Sequence, residues 1–137
     1  VSENISSLPL KKTMTMLKFN FRYLLIPVFL ILLIGCRKEG TGGKSAVSGT
    51  VMHHEKIIPN AVVYIKYGAK ELPGTEGSSY DASTTADANG HYEFKDLRKG
   101  DYFLYGIGID GQEIVKGGIS INLKYNKEKS VDVPVTE

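Results

Sequence analysis

The sequence predicts an all-β protein, a Greek-key β-sandwich of about seven strands behind an amino-terminal export segment. Three observations carry this. Apolar residues fall into short alternating runs, and Gly, Pro, Asn and Asp clusters punctuate those runs. The one long charge-free apolar run instead lies near the amino terminus and stops at the only cysteine.

That run spans Tyr23 to Gly35, follows Lys18 and Arg22, and is followed by Cys36. Thirteen residues cover only about 20 Å as a helix, short of the roughly 30 Å bilayer core. Basic flank, short apolar stretch and small terminal residue describe a secretory signal peptide at 1–35. Residues 1–13 add nothing that such a signal needs, and Met14 or Met16 would serve as a start, so that stretch reads as a gene-start artefact. Leu33-Ile34-Gly35-Cys36 resembles the lipobox of bacterial lipoproteins. The resemblance implies cleavage before Cys36, lipidation of Cys36, and a membrane-anchored lipoprotein of the cell envelope. The outer membrane is expected, because Arg37 is not the Asp associated with inner-membrane retention.

Cleavage there leaves 102 residues with 13 basic and 14 acidic side chains, so the positive charge belongs to the removed segment. No polybasic run remains to hold anionic lipid, and acyl chains would supply the attachment. Residues 36–45 are polar and Gly-rich and read as a flexible tether. The sandwich domain is expected over 46–137. A whole-chain charge of +2, evenly spread, excludes a nucleic-acid footprint. One Cys and three His exclude a disulfide scaffold or a structural zinc site.

Within the domain, Val47, Gly49 and Val51 alternate with polar residues as a first strand, which Ile58-Pro59-Asn60 ends. Ala61 to Tyr67 reads as the second strand, with Ala61, Val63 and Ile65 on one face. A loop, Gly68 to Ser79, precedes a Ser- and Thr-rich third strand, Tyr80 to Ala86. Asp87-Ala88-Asn89-Gly90 is then a hairpin turn, since Asn and Gly tolerate positive φ. The fourth strand, His91 to Lys95, puts Tyr92 and Phe94 on one face. The fifth, Asp101 to Ile109, is apolar on both: Tyr102 and Leu104 against Phe103, Tyr105, Ile107 and Ile109. Ile119 to Leu123 and Val131 to Val135 are the last two, flanking a turn at Tyr125 to Lys129. Pro134 cannot donate to a ladder, so the last strand is expected at an edge or to end there.

Ser48-Gly49-Thr50-Val51, Ile58 to Ile65, Thr85 to Leu97 and Gly100-Asp101-Tyr102 occur in an order that resembles the carboxypeptidase regulatory-like family. The resemblance covers nearly all of Ala46 to Val135. It implies a prealbumin-like, transthyretin-like sandwich, similar to collagen-adhesin B-type repeats, serving as an accessory module. Such repeats can carry a Lys–Asn isopeptide bond promoted by a buried acid. Glu93 could supply that acid, but the first strand lacks the Lys and Ser130 to Val135 lacks the Asn, so no cross-link is expected.

No catalytic constellation, cofactor site or metal site is expected. Ser78, Ser79, Ser83 and Thr84 lack a nucleophile elbow, and Gly40 to Ser45 lacks the first Gly of a P-loop. His53 and His54 are adjacent and would point to opposite faces of a strand, leaving them and His91 as surface histidines. Asp87-Ala88-Asn89-Gly90 opens like a calcium loop without the bidentate Glu, so a turn is expected, with calcium the minority reading. Phe103, Tyr105 and Ile107 form the candidate binding surface; otherwise the Gly68 to Ser79 loop or the far sheet covers them. The expectation is a non-catalytic envelope lipoprotein that presents a binding or scaffolding module to a protein partner. The alternative is a glycan-binding accessory lipoprotein for polysaccharide uptake, signalled by coplanar exposed tyrosines.

Overall fold

The alternation of Val47, Gly49, Val51 and His53, all buried, runs along one face of a long strand, β1 (Thr41–His53). The computed structural model describes residues 38–137; the expected export segment and Cys36 lie outside the described residues. Eight strands follow: β2 (Lys56–Ile57), β3 (Val62–Tyr67), β4 (Ala82–Thr85), β5 (His91–Leu97), β6 (Gly100–Asp110), β7 (Glu113–Leu123), β8 (Glu128–Ser130) and β9 (Val133–Pro134).

They make a two-sheet β-sandwich. In the first sheet β1 is central. It pairs antiparallel with β5 and, at its far end, with β2, and parallel with β8 and β9. The second sheet has the order β4-β3-β6-β7, all antiparallel. Between them Val47, Val51, Val63, Ile65, Tyr92, Tyr102, Leu104, Val115 and Val133 are at most 1% exposed. Each buried side chain of this size stabilises by about 1.5–3 kcal/mol. Tyr92 can lie in this core because its hydroxyl donates to the Val131 carbonyl at 2.6 Å, and its burial raises the hydroxyl's pKa.

The structure departs from the sequence reading in four places. Thr41–Ser45, expected in a tether, is the start of β1. The Asp87–Gly90 turn does not make a hairpin, because β4 and β5 belong to different sheets. Its geometry is nonetheless that of a turn: Asp87 Oδ1 accepts from the Asn89 and His91 N–H groups at 2.8 and 2.9 Å. Those two bonds hold the Asp87 carboxyl below the usual carboxylate range. The strand expected from Ile119 begins at Glu113, through Gly117 and Gly118, which interrupt the apolar alternation. A Cβ at Gly117 would overlap the Pro134 carbonyl. The turn expected at Tyr125 to Lys129 runs into β8, and of the last expected strand, Val131 to Val135, only Val133–Pro134 is β9, so the returning segment is split around Val131 and Asp132.

That split depends on Gly49. The Val131 carbonyl lies where a Cβ of residue 49 would be, while Asp132 Oδ1 accepts the Thr50 N–H at 3.0 Å. Gly49→Ala is therefore expected to destabilise the fold by about 1–3 kcal/mol through forced backbone displacement, read as a lower midpoint in urea unfolding. An unchanged midpoint would show that β8 and β9 shift freely.

Candidate functional site

Of the expected binding surface, only Ile107 keeps appreciable exposure. Phe103 is 8% and Tyr105 2% exposed. The Phe103 ring lies across Gly118 of β7, where a Cβ would collide with it. Tyr105 is covered by the loop at 68–81: Tyr80 stacks on it, with centroids 5.6 Å apart and planes 9° from parallel. Tyr64 packs on Tyr80 at 5.4 Å, and Tyr80 Oη donates to the Gly74 carbonyl at 2.7 Å. Burial, with Tyr105 beside it, pushes the Tyr80 pKa up to about 12. The tyrosine rings thus turn their faces onto one another and pin the loop. Coplanarity is present, but not an exposed platform.

The exposed part of this face lies further along β6 and β7. Ile109 and Ile114 are directly opposed across the strands, and each is 65% exposed. Ile107 is next on the same face. Ile114 escapes sequence reading because Gly117 and Gly118 hide the strand that carries it.

Behind that pair, on the inner face, the end of the sandwich is closed by charge. His53 Nδ1 lies 2.8 Å from Asp110 Oδ2, and Lys56 Nζ bonds Asp110 Oδ1. His53 is 9% exposed, unlike the surface residue that adjacency to His54 suggests. The alternation Val47, Gly49, Val51, His53 is the signal that could have found it. His54 has a left-handed φ of 55°, so it leaves the strand and packs its ring 4.6 Å from that of His53, not on the opposite face. His91 pairs with Thr50. Among the described residues no group of three His, Cys, Asp or Glu is placed to hold a metal ion. Glu93 is exposed and pairs with Lys95 at 3.3 Å.

At the opposite end of β1 lies a pocket of about 300 Å³ lined by Lys38, Lys44, Arg98, Lys99 and Tyr125. Among the described residues its charged side chains are all cationic. The buried hydroxyl of Tyr102 ties Arg98 of this pocket to Gly40: it accepts the Gly40 N–H at 2.9 Å and donates to the Arg98 carbonyl at 2.7 Å. The sequence shows no basic run here, because Lys44 and Arg98 are 54 residues apart and are brought together by the pairing of β1 with β5. A second pocket, of about 240 Å³, is lined by Glu39, Lys66, Tyr67 and Asp81, where Lys66 and Asp81 pair at 3.4 Å.

No family model and no curated protein matches the chain. Similar solved structures include these two. One is a candidate carbohydrate-binding protein from Pseudomonas aeruginosa, at 13% identity and a TM-score of 0.44 over 69% of this chain and 90% of that one. The other is a DUF3823 family protein from Parabacteroides merdae, at 16% identity and a TM-score of 0.43 over 69% of this chain and 47% of that one. Likenesses this distant leave the site to be read from its own geometry.

The Asp110 carboxyl is held below the usual range, first by Lys56 and then by His53. A lowered folded-state value means stabilisation that is complete above the ordinary carboxylate value of 3.8 and lost as pH falls through the lowered one. Asp110→Asn should lower Tm at neutral pH and flatten the acid limb of a Tm-against-pH curve; an unchanged curve would show that the contact contributes nothing. Tyr105 Oη is buried without a hydrogen-bond partner among the described residues. Tyr105→Phe should therefore leave Tm unchanged or raise it, whereas a fall in Tm would reveal a partner for that hydroxyl.

Proposed function

We propose that the protein is a non-catalytic lipoprotein of the cell envelope, held at a membrane through Cys36, that binds a protein partner through the far end of its sandwich. The observation that carries this reading is the opposed, 65%-exposed pair Ile109 and Ile114. An apolar cross-strand pair left in water is unfavourable for a free domain and suits the centre of a protein interface. Its position supports the same reading. Lys38 is two residues from Cys36 in sequence, and from Ser45, which shares the Leu97 partner of Thr41, β1 runs to His53, about 27 Å at strand rise. The Asp110 contact ties the Ile109 end to His53. A tether at Cys36 would leave that end facing away from the bilayer.

The resemblance to the carboxypeptidase regulatory-like family, an accessory module, agrees with a binding role. A glycan partner would need open aromatic faces, and the Tyr64, Tyr80 and Tyr105 rings are packed against one another. The outer membrane remains the expected location, from Arg37.

Photocrosslinking in the native envelope tests the reading, with the full chain carrying a photoreactive residue at Ile109. A discrete protein adduct is expected. It should be lost when Ile114→Lys is added, and it should be absent when the probe replaces Ser83. Cys36→Ala should abolish fatty-acid incorporation and membrane sedimentation. Ligands on a glycan array whose binding ignores Ile114→Lys would overturn the protein-partner reading. Membrane retention of Cys36→Ala after signal cleavage would overturn the anchor.

A further inference from the structure

The cationic pocket at the start of β1 is built by an irregularity in the strand. Thr41 and Ser45 both pair with Leu97, so Gly42, Gly43 and Lys44 are looped out of the ladder. The loop needs its glycines. Gly42 has φ +94°, with the Arg98 guanidinium 3.4 Å from where a Cβ would stand, and a Cβ at Gly43 would overlap the Leu97 carbonyl. The result is a concavity into which β1 contributes Lys44, the residues before it Lys38, and the β5–β6 turn Arg98 and Lys99.

We propose that this pocket takes the phosphate of an anionic membrane headgroup, so that the tethered domain rests on the bilayer in one orientation. The proposal rests on the Cys36 anchor. Among the described residues four cations and no carboxylate line the pocket, although the 102 residues from Cys36 onward carry a small acidic excess. Of the neighbouring carboxylates, Glu39 packs over Gly100, and Asp101 accepts from Asn122 at 2.8 Å, pairs with Lys70 at 3.7 Å and also feels the Lys38 charge. Tyr125 stands at the pocket, 70% exposed, and an amphipathic ring of this kind suits headgroup depth. The membrane, as against a free phosphate, is favoured by reach. Lys38 is two residues from Cys36, at most about 7 Å of chain, which is within the roughly 10 Å over which surface charge acts at 0.1 M salt.

The test is lysine acylation by a soluble reagent, read by mass spectrometry, on the full chain reconstituted into two kinds of vesicle. One is phosphatidylcholine; in the other a third of the lipid is phosphatidylglycerol. Lys38, Lys44 and Lys99 should react about fivefold more slowly on the anionic vesicles, with the difference lost at 1 M salt. Lys56 and Lys116, near the Ile109 end, should react equally on both. The double variant Lys44→Gln, Lys99→Gln changes only exposed side chains; it should float with vesicles like the parent but lose the anionic protection of Lys38. Equal reactivity on both vesicles would overturn the proposal, and flotation of that same sample would show the anchor intact. Protection by inorganic phosphate in detergent, with none on anionic vesicles, would overturn the membrane assignment. A chain that floats with neither vesicle would overturn the anchor itself.

Discussion

The first sheet depends on one strand being shared from both sides. β1 pairs with β5 and β2 antiparallel and with β8 and β9 parallel, so no strand pair of that sheet forms without it. The sharing is possible because residue 49 has no side chain where the returning carboxy-terminal segment crosses, and the Val131 carbonyl occupies that space. Tyr92 and Asp132 then hold the crossing in place, one by donating to the Val131 carbonyl and the other by accepting the Thr50 N–H. Backbone groups that would otherwise lose partners at the break are thereby satisfied.

The two ends of β1 are finished differently, and the difference gives the molecule a direction. At its start the strand is bulged and surrounded by Lys and Arg, with Tyr102 tying Gly40 to Arg98. At its finish His53 reaches Asp110 of the opposite sheet, which closes the sandwich and fixes the β6–β7 hairpin with its exposed isoleucines. An acyl anchor at one end and a partner surface at the other would use that polarity directly.

Much of the fold was legible from side-chain alternation. The faces assigned to β1, β3 and β5 are the buried faces, because an inward position two residues from another inward position is a local property of extended chain. The misreadings came from the same locality. Asn89-Gly90 signals a tight turn whether or not the flanking strands pair, and here they enter different sheets. Phe103 and Tyr105 are apolar on a second face, but whether that face is open depends on Tyr80 folding back over it. His53 follows the buried alternation of its strand, yet a His beside a second His and a Glu reads as surface until its Asp110 partner, 57 residues away, is in place.

The sequence by itself determined that the chain from Ala46 is an all-β sandwich, since alternation and turn chemistry act over a few residues. It also contains the apolar run and Cys36 on which the proposed lipoprotein anchor rests. Only the tertiary structure decided which apolar side chains remain in water and which charges share a pocket. Ile109 meets Ile114 through a strand pairing that glycines conceal, and Lys44 meets Arg98 because β5 lies beside β1. Both depend on register between distant segments, and no local pattern carries that information.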